Sequence, residues 1–142
     1  MKRKDMINSF NLLYYEIDRI YTDYAKSKDL TQTSLFVLRY LAESKENPTQ
    51  KEIADFLGIH LQMVNLSIKY FLEKEYIELK ENKNDRRFKN IFLTESGKEF
   101  SSYILDPLYY AESHIWDDFD DMDIKRIIDI MKAYTFKFKN LI

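Results

Sequence analysis

The sequence lacks cysteine altogether and is nearly free of glycine and proline, with two residues of each among its 142. The absence of cysteine excludes disulfides, thiolate metal ligands and thiol-based redox sensing, and it suits a cytoplasmic protein. The scarcity of glycine and proline indicates a mainly helical fold with few tight turns. No run of about 20 apolar residues is present, so no membrane span is expected. The basic start of the chain is not followed by the apolar run of a secretory signal.

Length and composition predict a single soluble domain over residues 1–142, with one core in which aromatic side chains bury much of the surface. The formal net charge of −2 is not that of a typical nucleic-acid binder, which is often basic. The charges are unevenly spread, however, because residues 79–90 combine five basic side chains with only two acidic ones. The basic residues are Lys80, Lys83, Arg86, Arg87 and Lys89, and the acidic ones are Glu81 and Asp85. The net charge therefore hides a local basic segment.

The periodicity of apolar residues predicts six helices and one hairpin. Thr49 and Glu52 form the capping box of a short helix that ends at Gly58. Alternation replaces helical spacing near residues 76–80 and 90–93, which predicts two strands around a charged loop without a turn glycine. Pro107 is expected to kink or interrupt the helix that follows. The predicted helices cover roughly residues 4–26, 31–44, 50–57, 61–74, 94–116 and 120–141. A helix-turn-helix followed by a two-stranded wing is a unit that reads DNA.

Three segments within 49–97 resemble the MarR family of bacterial repressors and activators: TQKEIADFLGI, the helix ending LEKEYI, and NDRRFKNIFLTESG. The last segment matches the family's wing signature, D-x-R followed by L-T and G. Residues 74–90 are also similar to the staphylococcal SarA-like branch. The resemblance implies a winged helix-turn-helix transcriptional regulator, mainly α with a small β-hairpin wing.

The resemblance further implies a homodimer on double-stranded DNA, with residues 1–28 and 99–142 as dimerisation helices and 30–98 as the DNA-binding lobe. Long aromatic and aliphatic stripes on both terminal helices agree with this division. The alternative is that these stripes pack onto the core of their own subunit. The expected operator is a pseudo-palindromic, A·T-rich sequence.

The helix at 61–74 is the expected recognition helix, because Gln62, Asn65 and Lys69 share the face opposite its apolar side. His60, which precedes it, is predicted to cap the helix or contact phosphate. Leu61, Met63 and Leu66 make this helix unusually apolar, and they face either thymine methyl groups or protein. The family commonly has glycine where this chain has Glu75, so the helix is expected to end without an easy left-handed residue.

In the wing, the family pattern places Arg87 in the minor groove, with Asp85 holding its guanidinium. A narrow A·T-rich minor groove attracts such an arginine. Lys83, Arg86 and Lys89 are expected to contact phosphates, which adds affinity without sequence choice. The alternative is a solvated hairpin tip whose charges only aid solubility.

No enzyme motif is present, and neither cofactor nor metal is expected, because the two histidines are isolated and the acidic run 117–123 lacks the pattern of a calcium loop. Control of the family by small molecules suggests a phenolic or aromatic effector between the DNA-binding lobe and the dimerisation helices. The aromatic residues that could line such a pocket are Phe10, Tyr14, Tyr40, Tyr103 and Tyr110. The rival function is a winged-helix interaction module that pairs with another regulator without binding DNA, which the apolar recognition helix would suit.

Overall fold

The computed structural model describes residues 1–142 and contains six α-helices and one β-hairpin. The predicted order of elements is confirmed, and helix ends agree with the predicted ones to within one or two residues. The elements are α1 (Arg3–Ser27), α2 (Gln32–Glu43), α3 (Gln50–Leu57), α4 (Leu61–Glu73), β1 (Ile77–Glu81), β2 (Lys89–Leu93), α5 (Glu95–Ile115) and α6 (Asp121–Leu141), with a short 3-10 helix at Trp116–Asp118.

Residues Met1–Ile104 form one compact unit whose core lies among α2, α3, α4 and the hairpin. Its largest fully buried side chains are Phe71, Leu35, Leu38, Ile53, Ile68, Ile91 and Ile104. Burying each of these side chains stabilises the fold by roughly 1.5–3 kcal/mol before the entropy of ordering the chain is counted. The Ser34 and Ser67 hydroxyls are also buried, and they hydrogen-bond each other over 2.9 Å, which joins α2 to α4. This core holds α4 in a fixed orientation.

Three helices begin with a capping side chain, and one of them has the predicted capping box of Thr49 and Glu52. Thr31 caps α2 by accepting a hydrogen bond from the Ser34 N–H, and Thr49 forms a reciprocal capping box with Glu52. Gly58 ends α3 in the left-handed conformation, with φ of 65°. Asp120 caps α6 by accepting from the Asp123 N–H.

The end of α4 has no glycine, as predicted, and Glu75 itself takes the left-handed conformation, with φ of 59°. The Glu75 N–H donates to the Leu72 carbonyl, and the Tyr76 N–H donates to the Phe71 carbonyl. This is the hydrogen-bond pattern of a Schellman motif, here built without glycine. The Glu75 carbonyl is held in turn by the hydroxyls of Thr94 and Ser96. Tertiary contacts thus impose a backbone conformation that glutamate disfavours.

Leu105–Ile142 form the second compact unit. Pro107 lies inside α5 without ending it, so of the predicted kink or interruption the interruption is not observed. No residue of α6 is buried. None of the helices combines the length and the apolar character that a membrane span requires.

Candidate nucleic-acid interface

The wing is an antiparallel hairpin in which Ile77 pairs with Leu93 and Glu81 pairs with Lys89. Its loop needs no turn glycine, because the Asn82 side chain organises the turn. The Asn82 carboxamide oxygen accepts hydrogen bonds from the N–H groups of Asn84 and Asp85 at 2.9 and 3.0 Å. The Asn82 N–H donates to the Phe88 carbonyl, which closes the loop at its neck. The basic loop is therefore an ordered structure.

Arg87 and Asp85 form a fork at this loop. The Arg87 guanidinium donates to Asp85 Oδ2 over 2.7 Å, its Nε donates to Oδ1 over 3.0 Å, and its backbone N–H also donates to Oδ1. These hydrogen bonds, first from the side chain and then from the backbone, lower the pKa of the Asp85 carboxyl below its ordinary value. The Asp85 carboxylate raises the pKa of Arg87 in return. Both groups stay charged near neutral pH.

The exposure of the two partners differs. The Asp85 side chain is 33% exposed, whereas the Arg87 side chain is 83% exposed. Asp85 thus supports the guanidinium from one side and leaves most of its surface in solvent. Lys83, Arg86 and Lys89 are also exposed. The wing therefore presents several cations, of which Arg87 has its orientation held by an ion pair.

The wing is anchored to the segment that connects α2 and α3. The Ile91 N–H donates to the Pro48 carbonyl over 2.9 Å, and Asn90 forms a bridge with Thr49. Arg87, Phe88 and Leu61 line one cavity of about 350 Å³ between the wing and the helix-turn-helix. The cavity is also lined by Thr49, Gln50, Lys51, Leu79 and Lys89. Wing and helix-turn-helix consequently present one surface.

The outward face of α4 carries Gln62, Leu66 and Lys69. At 3.6 residues per turn these positions lie opposite the buried side, which consists of Val64, Ser67, Ile68 and Phe71. All three side chains are exposed. The surface formed by this face and the wing is called the basic face below. A helix with a free outer face beside a cationic wing has the form of a DNA-reading unit.

Comparison with known proteins agrees with this geometry. A sequence model of the MarR family matches residues 28–87. Residues 28–87 are a MarR family segment, and the whole chain has the MarR fold. The MarR family is one of transcriptional regulators, and that is the class the match indicates. No curated protein matches the chain in sequence.

Solved structures of the MarR family share this fold over nearly the whole chain. A MarR family regulator from Neisseria meningitidis has 23% identity and a TM-score of 0.79, covering 99% of this chain and 96% of its own. MepR of S. aureus, solved as a complex with DNA, has 22% identity and a TM-score of 0.72, covering 94% and 98%. FabT of Streptococcus pneumoniae, also solved with DNA, has 15% identity and a TM-score of 0.77, covering 99% and 100%.

Two residues at the predicted recognition helix, Asn65 and His60, have surroundings that differ from the expected ones. The Asn65 amide donates to the Gln50 side-chain oxygen over 3.1 Å, so one of its donors is used to join α4 to α3. His60 stands at the N-cap position of α4, but its side chain makes no capping hydrogen bond. Capping is thus not its role, and it lies exposed at the start of the helix.

Of the five aromatic residues predicted to line an effector pocket, Tyr40 lines a cavity of the structure. Tyr40 lines a cavity of about 450 Å³ with Phe36 and Phe56, and its ring lies 4.8 Å from that of Phe56. The other four predicted residues are not among those that line it. Phe10 is half-buried, and Tyr14, Tyr103 and Tyr110 are largely exposed.

The sequence analysis missed two positioning residues, Asn82 and Gln50. Asn82 shapes the wing loop, and Gln50 orients Asn65. The signal for Asn82 was available, because asparagine two to three residues before Asn84 and Asp85 favours a side-chain-capped turn. Gln50 could not be found in this way, since its contact joins residues 15 positions apart in separate helices. No group of three or more histidine and carboxylate side chains could hold a metal ion.

Proposed function

We propose that this protein is a sequence-specific regulator of transcription that binds double-stranded DNA as a homodimer. The observation that carries the proposal is the Asp85–Arg87 fork, a cation with a fixed orientation whose surface is mostly exposed. An arginine so held has lost part of its conformational freedom before binding, which lowers the cost of ordering it against a partner. An A·T-rich minor groove suits it, because narrow grooves concentrate negative potential.

The rest of the basic face supports a polyanionic partner. Lys83, Arg86 and Lys89 add charge around Arg87, and Lys69 adds a cation on α4. Phosphate contacts by such residues would position the protein, and α4 in the major groove would read base edges. That MepR and FabT, with the same fold, were solved with DNA further supports this function.

The homodimer is supported by the apolar surface of the terminal helices. Within α1, Ile7, Tyr14 and Ile17 are each more than half exposed, although they lie at helical spacing. In α6 the apolar stripe that includes Ile128 and Phe138 is likewise exposed. Such surfaces are characteristic of protein interfaces, and a second copy of the chain offers the same surfaces in return. Two copies of the basic face would then read a pseudo-palindrome.

A small phenolic or aromatic effector stays part of the proposal, with the Tyr40 cavity as its binding site. The aromatic rings of Phe36, Tyr40 and Phe56 supply an apolar lining, and a cavity of about 450 Å³ lies in the range of small-molecule sites. A panel of phenols and benzoates tests this part by the shift in melting temperature. A shift that Tyr40→Ala abolishes is expected, and the absence of any shift would remove the effector.

The second candidate is the interaction module that pairs with another regulator, which the exposure of Leu61, Met63 and Leu66 favours. A salt series with a labelled random-sequence duplex separates the two functions. For a DNA binder the logarithm of the affinity falls linearly with the logarithm of salt concentration, by about 0.9 per phosphate neutralised. An interaction module would show no measurable affinity even at low salt, and that result would overturn the proposal.

A further inference from the structure

The centre of the outward face of α4 is an exposed leucine. Leu66 is 66% exposed. It lies one turn after Gln62 and nearly one turn before Lys69, so the three side chains form one stripe along the helix. Leucine is therefore the middle residue of this stripe, between an amide and an ammonium group.

Leu61 and Met63 lie on the two flanks of the helix. Leu61 lines the cavity toward the wing, together with Gln50 and Phe88. Met63 lines another cavity, of about 280 Å³, with Leu30 and other residues near the start of α2. Leu66 also lines this second cavity but is the more exposed of the two. Of the three apolar residues, Leu66 alone lies opposite the buried side.

The charges near Leu66 indicate which class of partner this residue would contact. Lys69 shares the outward face with Leu66, and the one acidic residue of α4 is Glu73, which lies on the same face one turn after Lys69. The neighbouring wing carries five basic residues against two acidic ones within residues 79–90. Asp29 lines the cavity that Leu66 also lines, whereas Lys69 and the wing carry cations on the outward side. An apolar protein partner gains little from these cations, whereas a polyanion with apolar groups on its surface matches both features. DNA offers such a group in its major groove, the C5-methyl of thymine.

We infer that Leu66 determines sequence specificity by contacting a thymine methyl group. The inference rests on the proposed function and assigns a base to one side chain. Gln62, one turn earlier, has the amide that can pair with N6 and N7 of an adenine in the same half-site. The stripe thus reads A·T pairs in the major groove.

The test uses the duplex that the wild-type protein enriches from a random library. Each thymidine of a half-site is replaced in turn by deoxyuridine, which removes the C5-methyl group of the base and keeps its hydrogen-bonding pattern. Loss of the contacted methyl group is expected to lower wild-type affinity about fourfold, the equivalent of one buried methylene. The other replacements should have smaller effects.

Variants assign the effect to the side chain. Leu66→Ala is expected to bind the unmodified duplex at least about fourfold more weakly and to lose the distinction between thymine and deoxyuridine. Leu66→Met keeps an apolar side chain and should retain the distinction. Met122→Ala is the control, because Met122 is a similarly exposed apolar residue at the start of α6, outside the stripe of α4. An unchanged melting temperature shows that each variant folds.

Three results would overturn the inference. They are a wild-type affinity that no deoxyuridine changes, a Leu66→Ala variant that keeps the wild-type preference for thymine, and a change in the association state of Leu66→Ala without DNA. If the wild type still binds a specific DNA sequence in any of these cases, the proposed function is retained and only the inference fails. If the library yields no enriched duplex, the proposed function and the inference fail together.

Discussion

At the scale of single residues, the wing has an exposed cation, Arg87, and a separate residue, Asp85, that orients it. Asp85 receives hydrogen bonds from the Arg87 side chain and backbone, and it thereby fixes the guanidinium without burying it. An exposed ion pair of this kind stabilises a fold very little. Its value lies in the geometry it imposes, because a guanidinium in a set orientation enters a narrow groove at a smaller entropic cost.

Replacing Arg87 by alanine is therefore expected to weaken operator binding about tenfold or more, while leaving the melting temperature and the association state nearly unchanged. The measurement is a titration of labelled duplex at fixed salt. Arg86→Ala is the matched control, since it removes the same charge from the neighbouring position. Equal losses in the two variants would mean that Arg87 contributes only charge, and unchanged binding by Arg87→Ala would exclude the wing from the interface.

The pH dependence of the fork follows from the direction of its pKa shift. Because Arg87 lowers the pKa of Asp85, the ion pair is fully formed above the ordinary pKa of aspartate and is lost only as pH falls through the lowered value. A carboxyl-carbon NMR titration should give Asp85 a midpoint below that of an unpaired aspartate. In Arg87→Gln the midpoint should rise toward the ordinary value. An Asp85 that titrates identically in both proteins would show that the fork does not form in solution.

At the scale of elements, α4, β1 and α5 meet in a junction at the base of the wing. Glu75 occupies a left-handed position there, and its carbonyl accepts hydrogen bonds from Thr94 and Ser96. Two residues into α5, Gly97 approaches the backbone of Tyr76 so closely that a Cβ atom would lie 1.8 Å from the Tyr76 carbonyl oxygen. This contact leaves room for no other residue unless the backbone moves.

Two substitutions at this junction should act in opposite directions. Gly97→Ala is expected to lower the free energy of unfolding by about 2–3 kcal/mol, because the obstacle is backbone that cannot rotate away. Glu75→Gly should raise it by about 1 kcal/mol or slightly less, since it relieves a left-handed non-glycine residue. Chemical denaturation at one fixed protein concentration measures both. Destabilisation by Glu75→Gly, or a harmless Gly97→Ala, would contradict this description of the junction.

The sequence could predict these elements because their signals are local. Helical spacing, the capping box of Thr49, the alternation around the wing and the stop at Gly58 each depend on residues within one or two turns. The conformation of Glu75 could not be predicted, because it is imposed by hydroxyls about 20 residues away. The Asn65–Gln50 hydrogen bond and the exposure of Leu66 likewise depend on how helices pack, which spacing alone does not determine.

At the scale of the whole molecule, the apolar stripes of α1 and α6 are exposed, and we propose that a second copy of the chain covers them. Ile128→Asp places a charge within the stripe of α6 and is expected to shift the protein from dimer to monomer, because burying an unpaired carboxylate is costly. Sedimentation velocity at fixed concentration measures the shift. Ala133→Asp, on the opposite side of the same helix, is the control and should remain dimeric. A wild-type monomer, or equal dissociation of both variants, would refute the proposed interface.

The most direct test of DNA reading by a symmetric dimer is selection of bound sequences from a library of random duplexes. A dimer with one basic face per subunit predicts an A·T-rich inverted repeat whose half-sites lie about one helical turn, ~34 Å, apart. Enrichment of such a repeat by the wild type, and its loss with Arg87→Ala, is the expected result. A selected pool with no shared sequence, or with a motif that has no dyad, would contradict it.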